Sequence, residues 1–326
     1  MGNLWAAVLD WSNLELAAVR ALKGKRNRSD ARRFLDHSES ELTRLRFDLE
    51  SGQIGPGTFR QFRIRDPKPR IISAPSFRDR VLHHAIMNVM EPHLERRAIH
   101  HSYACRVGKG QFAALDAAVR FSRTFEWYAQ MDVRSFFASI PKDRLLVAVA
   151  RCFKDSRLLD ALGQIVHGFE PASERGLPLG ALTSQHLANF YLGAVDRHVT
   201  LALGRAAFVR YMDDWLVWDS DRTRLRAVVR SINQFCIREL ALDLKIPRLN
   251  RTSAGISFLG HRVFPAEIRL ARPARLGFLR SARNLEQRWA AGTICEPEAQ
   301  RRMASLVGFT RHSASLQWRR RVFRDR

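Results

Sequence analysis

FVRYMDDWLVW, residues 208–218, sets two short apolar segments on either side of the adjacent carboxylates Asp213 and Asp214. Apolar runs flanking a tight polar turn read as a β-hairpin. Neighbouring carboxylates at a hairpin tip repel each other, and beside a core they are costly unless a divalent cation shares them. A solvated Asp-Asp turn gives the same tetrapeptide, so these residues alone leave both readings open. Upstream, WYAQMDV (127–133) reads as a buried strand ending at Asp132, with Phe136 and Phe137 just behind it. If a sheet sets that strand end beside the hairpin, the three carboxylates can hold two divalent ions about 3.5–4 Å apart, the arrangement that drives in-line nucleotidyl transfer. Taken alone, Asp132 serves equally as a cap for the following turn. Between these segments in the sequence, GLPLGALTSQ (176–185) is a Gly/Pro-rich loop that becomes a helix from about Thr183, with Thr183 or Ser184 as its cap. Glycines there let the backbone approach a base or phosphate closely, although a plain helix-start loop looks the same.

Further out, FRQFRIR (59–65) and RIISAP (70–75) flank a DPKP turn and read as strand, turn, strand. A helix is predicted from about Phe77 to Arg97, with Val81, Leu82, Ala85, Ile86, Val89 and Met90 on one apolar face and a late kink at Pro92. Others are predicted over 141–153 and from Ser220 to Leu240. GISFLGHRVF (255–264) is a further strand pair, the first 58 residues are helical, and the stretch from 269 is basic and helical. Trp215 and Trp218, three apart, face opposite sides of a regular strand and pack. Strands separated by helices over 59–264 indicate an α+β unit with helical additions at both ends.

Composition sets the partner class. The 326 residues carry 55 Lys+Arg against 32 Asp+Glu, a formal charge of +23, and 46% are hydrophobic. That hydrophobic share supports a folded core, so the positive excess sits on a folded protein, where a polyanion such as a phosphate backbone is the expected partner. Nothing approaches an 18-residue apolar run, and Asp10 and Glu15 interrupt the opening segment, so neither a membrane span nor a signal peptide is expected and the location reads as cytoplasmic. Cys105, Cys152, Cys236 and Cys295 are too widely spaced for a zinc knuckle or a small disulfide scaffold and read as reduced and mostly buried.

Together these segments resemble a reverse transcriptase from about Arg60 to Gly260. RIRDPKPRIISAP resembles the basic fingers strands, MDVRSFFASI the first catalytic motif, GLPLGALTSQHLANFYLGAVD the template and nucleotide loop, YMDD the second catalytic motif, and SFLGHRVF the primer-grip strand pair with Phe258, Leu259 and Gly260. Within that family, SYACRVGKGQFAALDA (102–117) and the Leu-Gly-x-x-x-Ser-Gln form from Leu179 to Gln185 resemble the enzymes of bacterial and phage diversity-generating retroelements. The resemblance implies a right-hand polymerase with an antiparallel palm sheet. Residues 1–58 form an N-terminal helical extension, 59–126 the fingers with part of 150–185, 127–268 the palm, and 269–326 a helical thumb.

It also implies roles. Asp132 and Asp213 ligate two Mg²⁺ ions, or Mn²⁺, Asp214 assists one of them, and the Val133 carbonyl completes a shell. Arg70, with Lys68 or Arg65, holds the triphosphate; Leu179, Gly180 and Gln185 line the nucleotide site; Phe137 is the aromatic gate against a ribose 2′-hydroxyl. Lys245 stands near the position of a lysine that protonates pyrophosphate. The implied partners are template RNA, the RNA/cDNA duplex, deoxynucleoside triphosphates and a small basic accessory variability protein, in a bacterial or phage-encoded system. The implied activity copies a template-repeat RNA into cDNA with misincorporation opposite adenine. An aliphatic Leu179 cannot hydrogen-bond the incoming nucleotide, which suits low discrimination. Phage-defence and group II intron-like reverse transcriptases are the neighbouring readings; the 56 residues after Leu270 are too few for maturase and endonuclease domains. A non-catalytic RNA-binding scaffold is the reading from another class. The His83-His84 and His100-His101 pairs read as helix-surface or RNA-contacting residues, because neighbours on a helix point apart.

Overall fold

The computed structural model describes residues 3–55, 57–65, 69–204 and 207–324. Helices α1 (Leu4–Leu9), α2 (Trp11–Leu22), α3 (Ser29–Asp36) and α4 (Ser38–Glu50) come first. Asp10 starts α2 by accepting hydrogen bonds from the Ser12 and Asn13 amides. In α4 the three- and four-residue spacing of Leu42, Leu45 and Leu49 is the buried stripe. Strands β1 (Phe59–Arg65) and β2 (Pro69–Pro75) pair antiparallel from Phe59 opposite Pro75 to Arg65 opposite Pro69. Ser76 caps α5 (Phe77–Glu95), which continues through Pro92.

Helix α6 (Gln111–Thr124) leads into β3 (Trp127–Asp132); α7 (Phe136–Ser139), α8 (Lys142–Ala150), α9 (Ser156–Gly168) and α10 (Leu182–Arg197) follow. The hairpin β4 (Phe208–Tyr211) and β5 (Asp214–Asp219) precedes α11 (Arg222–Leu240). Then come β6 (Arg248–Arg251), β7 (Ile256–Phe258), β8 (His261–Val263), β9 (Ile268–Leu270) and the basic helices α12 (Arg272–Ala290), α13 (Glu296–Arg311) and α14 (Leu316–Arg324).

These elements divide into two compact units, each discontinuous in sequence. The first unit takes in residues 1–100, 133–202 and 231–245. Its N-terminal helices pack on α5, and Asp155, the cap of α9, also accepts a hydrogen bond from the Trp5 amide at 2.8 Å. The second unit takes in residues 101–132, 203–230 and 246–326. It is built on a four-stranded antiparallel sheet in the order β4-β5-β3-β6 and a three-stranded antiparallel sheet in the order β7-β8-β9. Ala114, Leu115, Ala117 and Ala118 of α6 cover Tyr128, Val209, Leu216 and Trp218 of the larger sheet. Trp215 and Trp218 are both fully buried, and Trp218 donates its indole N–H to Ser122. The fold is therefore a mixed helix-and-sheet architecture with antiparallel sheets.

Several expectations change. His83 does not lie on the surface: it is 3% exposed and its Nδ1 meets the Thr183 hydroxyl at 2.8 Å. That contact also removes Thr183 from the capping role, since α10 begins at Leu182 with Ala181 as a cap that has no side-chain hydrogen bond, and Ser184 is buried. Among the cysteines only Cys236 is buried, with Cys105 and Cys152 half-buried and Cys295 exposed, and none of the four is in a disulfide. Among the described residues no helix is long and apolar enough to cross a membrane.

Burial holds the imidazoles of His83 and His84 down at about 4. Unfolding releases them to their ordinary value near 6.5, so the unfolded chain binds protons that the folded chain refuses in that interval. Stability is therefore complete above the ordinary value and declines as pH falls toward 4. For His83 the loss amounts to about 2 kcal/mol between neutral pH and about pH 5. Urea unfolding at the two pH values should show this decline, and His83→Gln should reduce it, leaving the share due to His84; an unchanged pH dependence in the variant would remove His83 as a source.

Candidate active site

The register of the larger sheet brings Asp132 directly opposite Asp214, with Met131 opposite Trp215 and Gln130 opposite Leu216. Cross-strand partners share a face of the sheet, and like charges placed there oppose pairing. Asp132–Asp214 is the last rung, and the apolar rungs behind it, Met131–Trp215, Ala129–Val217 and Tyr128–Trp218, hold the strands together regardless. Gln130 also reaches the site diagonally: its amide donates to Asp214 Oδ1 and to the Ser257 carbonyl, both at 2.9 Å.

Asp213 sits at the turn. Tyr211 pairs with Asp214, which leaves Met212 and Asp213 as a two-residue connection, and Met212 takes a left-handed φ of 53°. Tight hairpins need positive φ in the turn, which costs a non-glycine residue about 1–2 kcal/mol. Two side chains stabilise the turn through the Met212 carbonyl: Arg210 Nη1 and Trp215 Nε1 each donate to it at 3.2 Å. Arg210 is 1% exposed and also donates from Nη2 to the Ser102 hydroxyl at 3.0 Å. The backbone of 101–103 runs alongside: Arg210 N donates to the His101 carbonyl at 2.9 Å and Tyr103 N to the Arg210 carbonyl at 3.0 Å. This strap fixes the strand that leads into the acidic turn.

Among the described residues no three or more His, Cys, Asp and Glu side chains stand together as a metal-holding group. The pair set face to face is Asp132 and Asp214, with Asp213 one residue before Asp214. Their donors are hard carboxylate oxygens, the type that Mg²⁺ takes.

Phe258, Leu259 and Gly260 lie in the same unit. Leu259 (φ 48°) and Gly260 (φ 77°) form the two-residue turn between β7 and β8, with Phe258 opposite His261. A Cβ at Gly260 would come within 3.1 Å of the Phe309 ring on α13.

The remaining candidates belong to the first unit. Arg65 and Arg70 are exposed at the turn end of the β1–β2 ladder, opposite Pro69 and Ile64; Lys68 lies outside the described residues. The Phe137 carbonyl accepts the Leu177 amide at 2.9 Å, and the Leu179 carbonyl accepts the Ser73 amide of β2 at 2.8 Å. The Gly/Pro loop is thus tied at one end to the turn that carries Phe137 and at the other to the strand that carries Arg70. Gly180 makes the second tie possible: its φ is 125°, and an added Cβ would stand 2.9 Å from Ile72 Cγ2 and 3.1 Å from the Ser73 carbonyl oxygen. Phe137 is half-buried beside buried Phe136, and Gln185 is half-buried in the first turn of α10. Lys245 is exposed and follows Leu244, which bridges Val133.

A family model described as reverse transcriptase (RNA-dependent DNA polymerase) matches residues 64–263. The chain belongs to the reverse transcriptase family. It is thereby an RNA-directed DNA polymerase by class. Among relatives of this reverse transcriptase, Protein YkfC of Escherichia coli (strain K12) is 26% identical over 86% of this chain and 81% of its own length. The uncharacterized 91 kDa protein in cob intron of Schizosaccharomyces pombe is 25% identical over 40% of this chain and 17% of its own. Apo telomerase from Candida tropicalis has a similar fold, with a TM-score of 0.50 at 11% identity over 67% of this chain and 48% of that one. So does telomerase from Candida albicans in complex with the TWJ fragment of telomeric RNA, with a TM-score of 0.51 at 10% identity over 68% and 47%. The chain spans about half the length of those telomerases and a smaller share of the cob intron protein.

Sequence reading passes over Gln130, Ser102 and Arg210. A signal exists for two of them: each is a polar residue inside an otherwise apolar strand, where burial demands a partner.

Gly180→Ala should unseat the loop from β2. Thermal melting should fall by several degrees, the equivalent of about 1–3 kcal/mol, and primer extension should fall with it; a variant with wild-type melting and extension would show that the close approach is dispensable.

Proposed function

We propose that this chain copies an RNA template into cDNA from deoxynucleoside triphosphates, using Asp132, Asp213 and Asp214 as its catalytic carboxylates. The observation that carries the reading is the register that opposes Asp132 and Asp214 beside the acidic turn, inside the stretch that matches the family. Asp132, Asp213 and Asp214, with the Val133 carbonyl next along the chain, would hold two Mg²⁺ or Mn²⁺ ions. When bound, such ions activate a primer 3′-hydroxyl and neutralise the leaving pyrophosphate. Gln130 orients the Asp214 carboxylate, and Arg210 and Trp215 keep the turn that presents Asp213. In a right-hand arrangement, Arg70, with Arg65 and Lys68, meets the triphosphate charge. Phe137 stands against the sugar, Leu179, Gly180 and Gln185 line the nucleotide, Phe258, Leu259 and Gly260 grip the primer, and Lys245 donates a proton to pyrophosphate. The basic helices α12 to α14 hold the RNA/cDNA duplex by its phosphates.

The role we infer is diversification, with a template-repeat RNA as substrate, errors concentrated opposite adenine, and a small basic accessory protein as partner. Two features support it. Residues 102–117 resemble that branch, and their first residues form the strap on the catalytic hairpin. Leu179 offers no hydrogen bond to a base. The relative encoded in a cob intron favours a second reading, an intron-associated reverse transcriptase that copies accurately.

Primer extension by the purified protein on an RNA template with Mg²⁺ should yield cDNA, and Asp213→Ala should abolish it while leaving primer–template affinity within a few-fold. Equal loss of binding would make the hairpin structural. Sequencing the product separates the two roles: errors clustered at template adenines support diversification, and faithful cDNA supports the intron-type reading. Phe137→Ala should admit ribonucleotides, with unchanged sugar selectivity removing its gate role.

A further inference from the structure

A cavity of about 760 Å³ opens in the first unit between α8, α10 and the C-terminal end of α11. None of the candidate active-site residues lines it. Arg97, Arg144, Arg151, Arg197 and Arg238 stand around it, against Asp143 and Glu239. Asp143 and Glu239 offset part of this charge, yet five arginines face two carboxylates, and among the described residues no ion pair joins the cavity arginines to a carboxylate. Arg144 is structural: its Nη1 donates to the Arg238 and Glu239 carbonyls at 3.1 and 3.2 Å, closing the end of α11. The Tyr191 hydroxyl does the same for the Leu240 carbonyl at 2.9 Å. Arg97, Arg151, Arg197 and Arg238 are exposed around this rigid frame.

The wall is aromatic as well as basic. Phe190 and Phe235 line the cavity half-buried, and the Phe235 ring is held by stacking on His198 at 4.4 Å and 15°. Exposed Val147, at 55%, adds apolar surface at the rim. Guanidinium groups recognise phosphate oxygens, and ordered rings take the faces of bases. The two chemistries occur together in a nucleotide. An acidic peptide would satisfy the arginines and leave the rings unused, whereas a duplex hides its base faces. The volume falls within the roughly 300–1,000 Å³ of small-molecule sites, enough for one or two nucleotides.

We propose that this cleft is a second nucleic-acid site, one that takes nucleotide units of single-stranded RNA with phosphates on Arg151, Arg197 and Arg238 and a base against Phe190 or Phe235. The same chemistry would receive a free nucleotide, and the experiment separates these sources. Binding here does not depend on polymerisation, so its test reads affinity alone and stands or falls separately from the activity proposed above.

The full chain is first saturated with unlabelled primer–template duplex. A labelled single-stranded RNA of about 12 nucleotides is then titrated by fluorescence anisotropy. Arg151→Glu with Arg197→Glu should weaken this binding by about tenfold or more and reduce the slope of log affinity against log salt by about 1.4, two single-strand phosphate contacts. Phe235→Leu, which keeps apolar volume but removes the ring, should weaken binding several-fold with the slope unchanged. Arg157→Glu, an exposed change on α9 away from the cleft, should leave both unaltered, and Arg151→Lys with Arg197→Lys should retain most of the affinity with the wild-type melting temperature. Competition by free ATP would assign the cleft to a free nucleotide, and its failure would assign it to an RNA strand. RNA carrying 4-thiouridine should crosslink to the peptide that contains Phe190 or Phe235. Wild-type RNA affinity in the glutamate variant, absence of the crosslink, or loss of poly-glutamate binding with RNA binding intact would each overturn the proposal, the last by assigning the cleft to an acidic protein segment.

Discussion

The pairing of β3 with β5 opposes two carboxylates that would separate if their backbones were free. A strand pair with Asp132 facing Asp214 is unfavourable at that rung, and the pairing exists because the rungs beside it are Met131 with Trp215, Ala129 with Val217 and Tyr128 with Trp218, all buried. The apolar rungs set the register, and a slip of one residue would turn every side chain of the strand to the other face. The site is thus an electrostatic penalty enforced by a hydrophobic ladder, and α6 covers one face of that ladder.

A different device organises the first unit. There the backbone is the connector: the Gly/Pro loop reaches the Phe137 turn through Leu177 and reaches β2 through Leu179, with Gly180 at a φ that only glycine adopts freely. The side chains of Arg70, Phe137 and Gln185 carry none of these ties. In the second unit the reverse holds, because the side chains of Arg210, Trp215 and Gln130 support the turn and its neighbouring strand.

Much of this is legible in the sequence. The hairpin around YMDD, the strand ending at Asp132, the β1–β2 pair and the β7–β8 pair all announce themselves by apolar runs broken at turns. What escaped did so for identifiable reasons. Strand β6 is the polar segment RLNR on a sheet edge, so alternation gave no apolar signal, and α9 carries a clear helical period, with Leu158, Ala161, Leu162, Ile165 and Val166 buried, inside a stretch that is easily passed over beside a glycine-rich loop. The errors at His83 and Thr183 share one cause: two polar side chains that look exposed singly satisfy each other inside the core, and a partner 100 residues away is invisible to any local window.

The hydrogen bond between Arg210 and Ser102 closes a loop of 108 residues, and the strap and hairpin depend on each other to satisfy a buried guanidinium. Contacts of such long range bring their stabilisation only after most of the chain-closure entropy has been spent. The arrangement around the acidic turn therefore requires the strap, β3 and the hairpin together. The relative placement of Asp132, Asp213 and Asp214 is thus a property of the second unit as a whole and not of the hairpin alone.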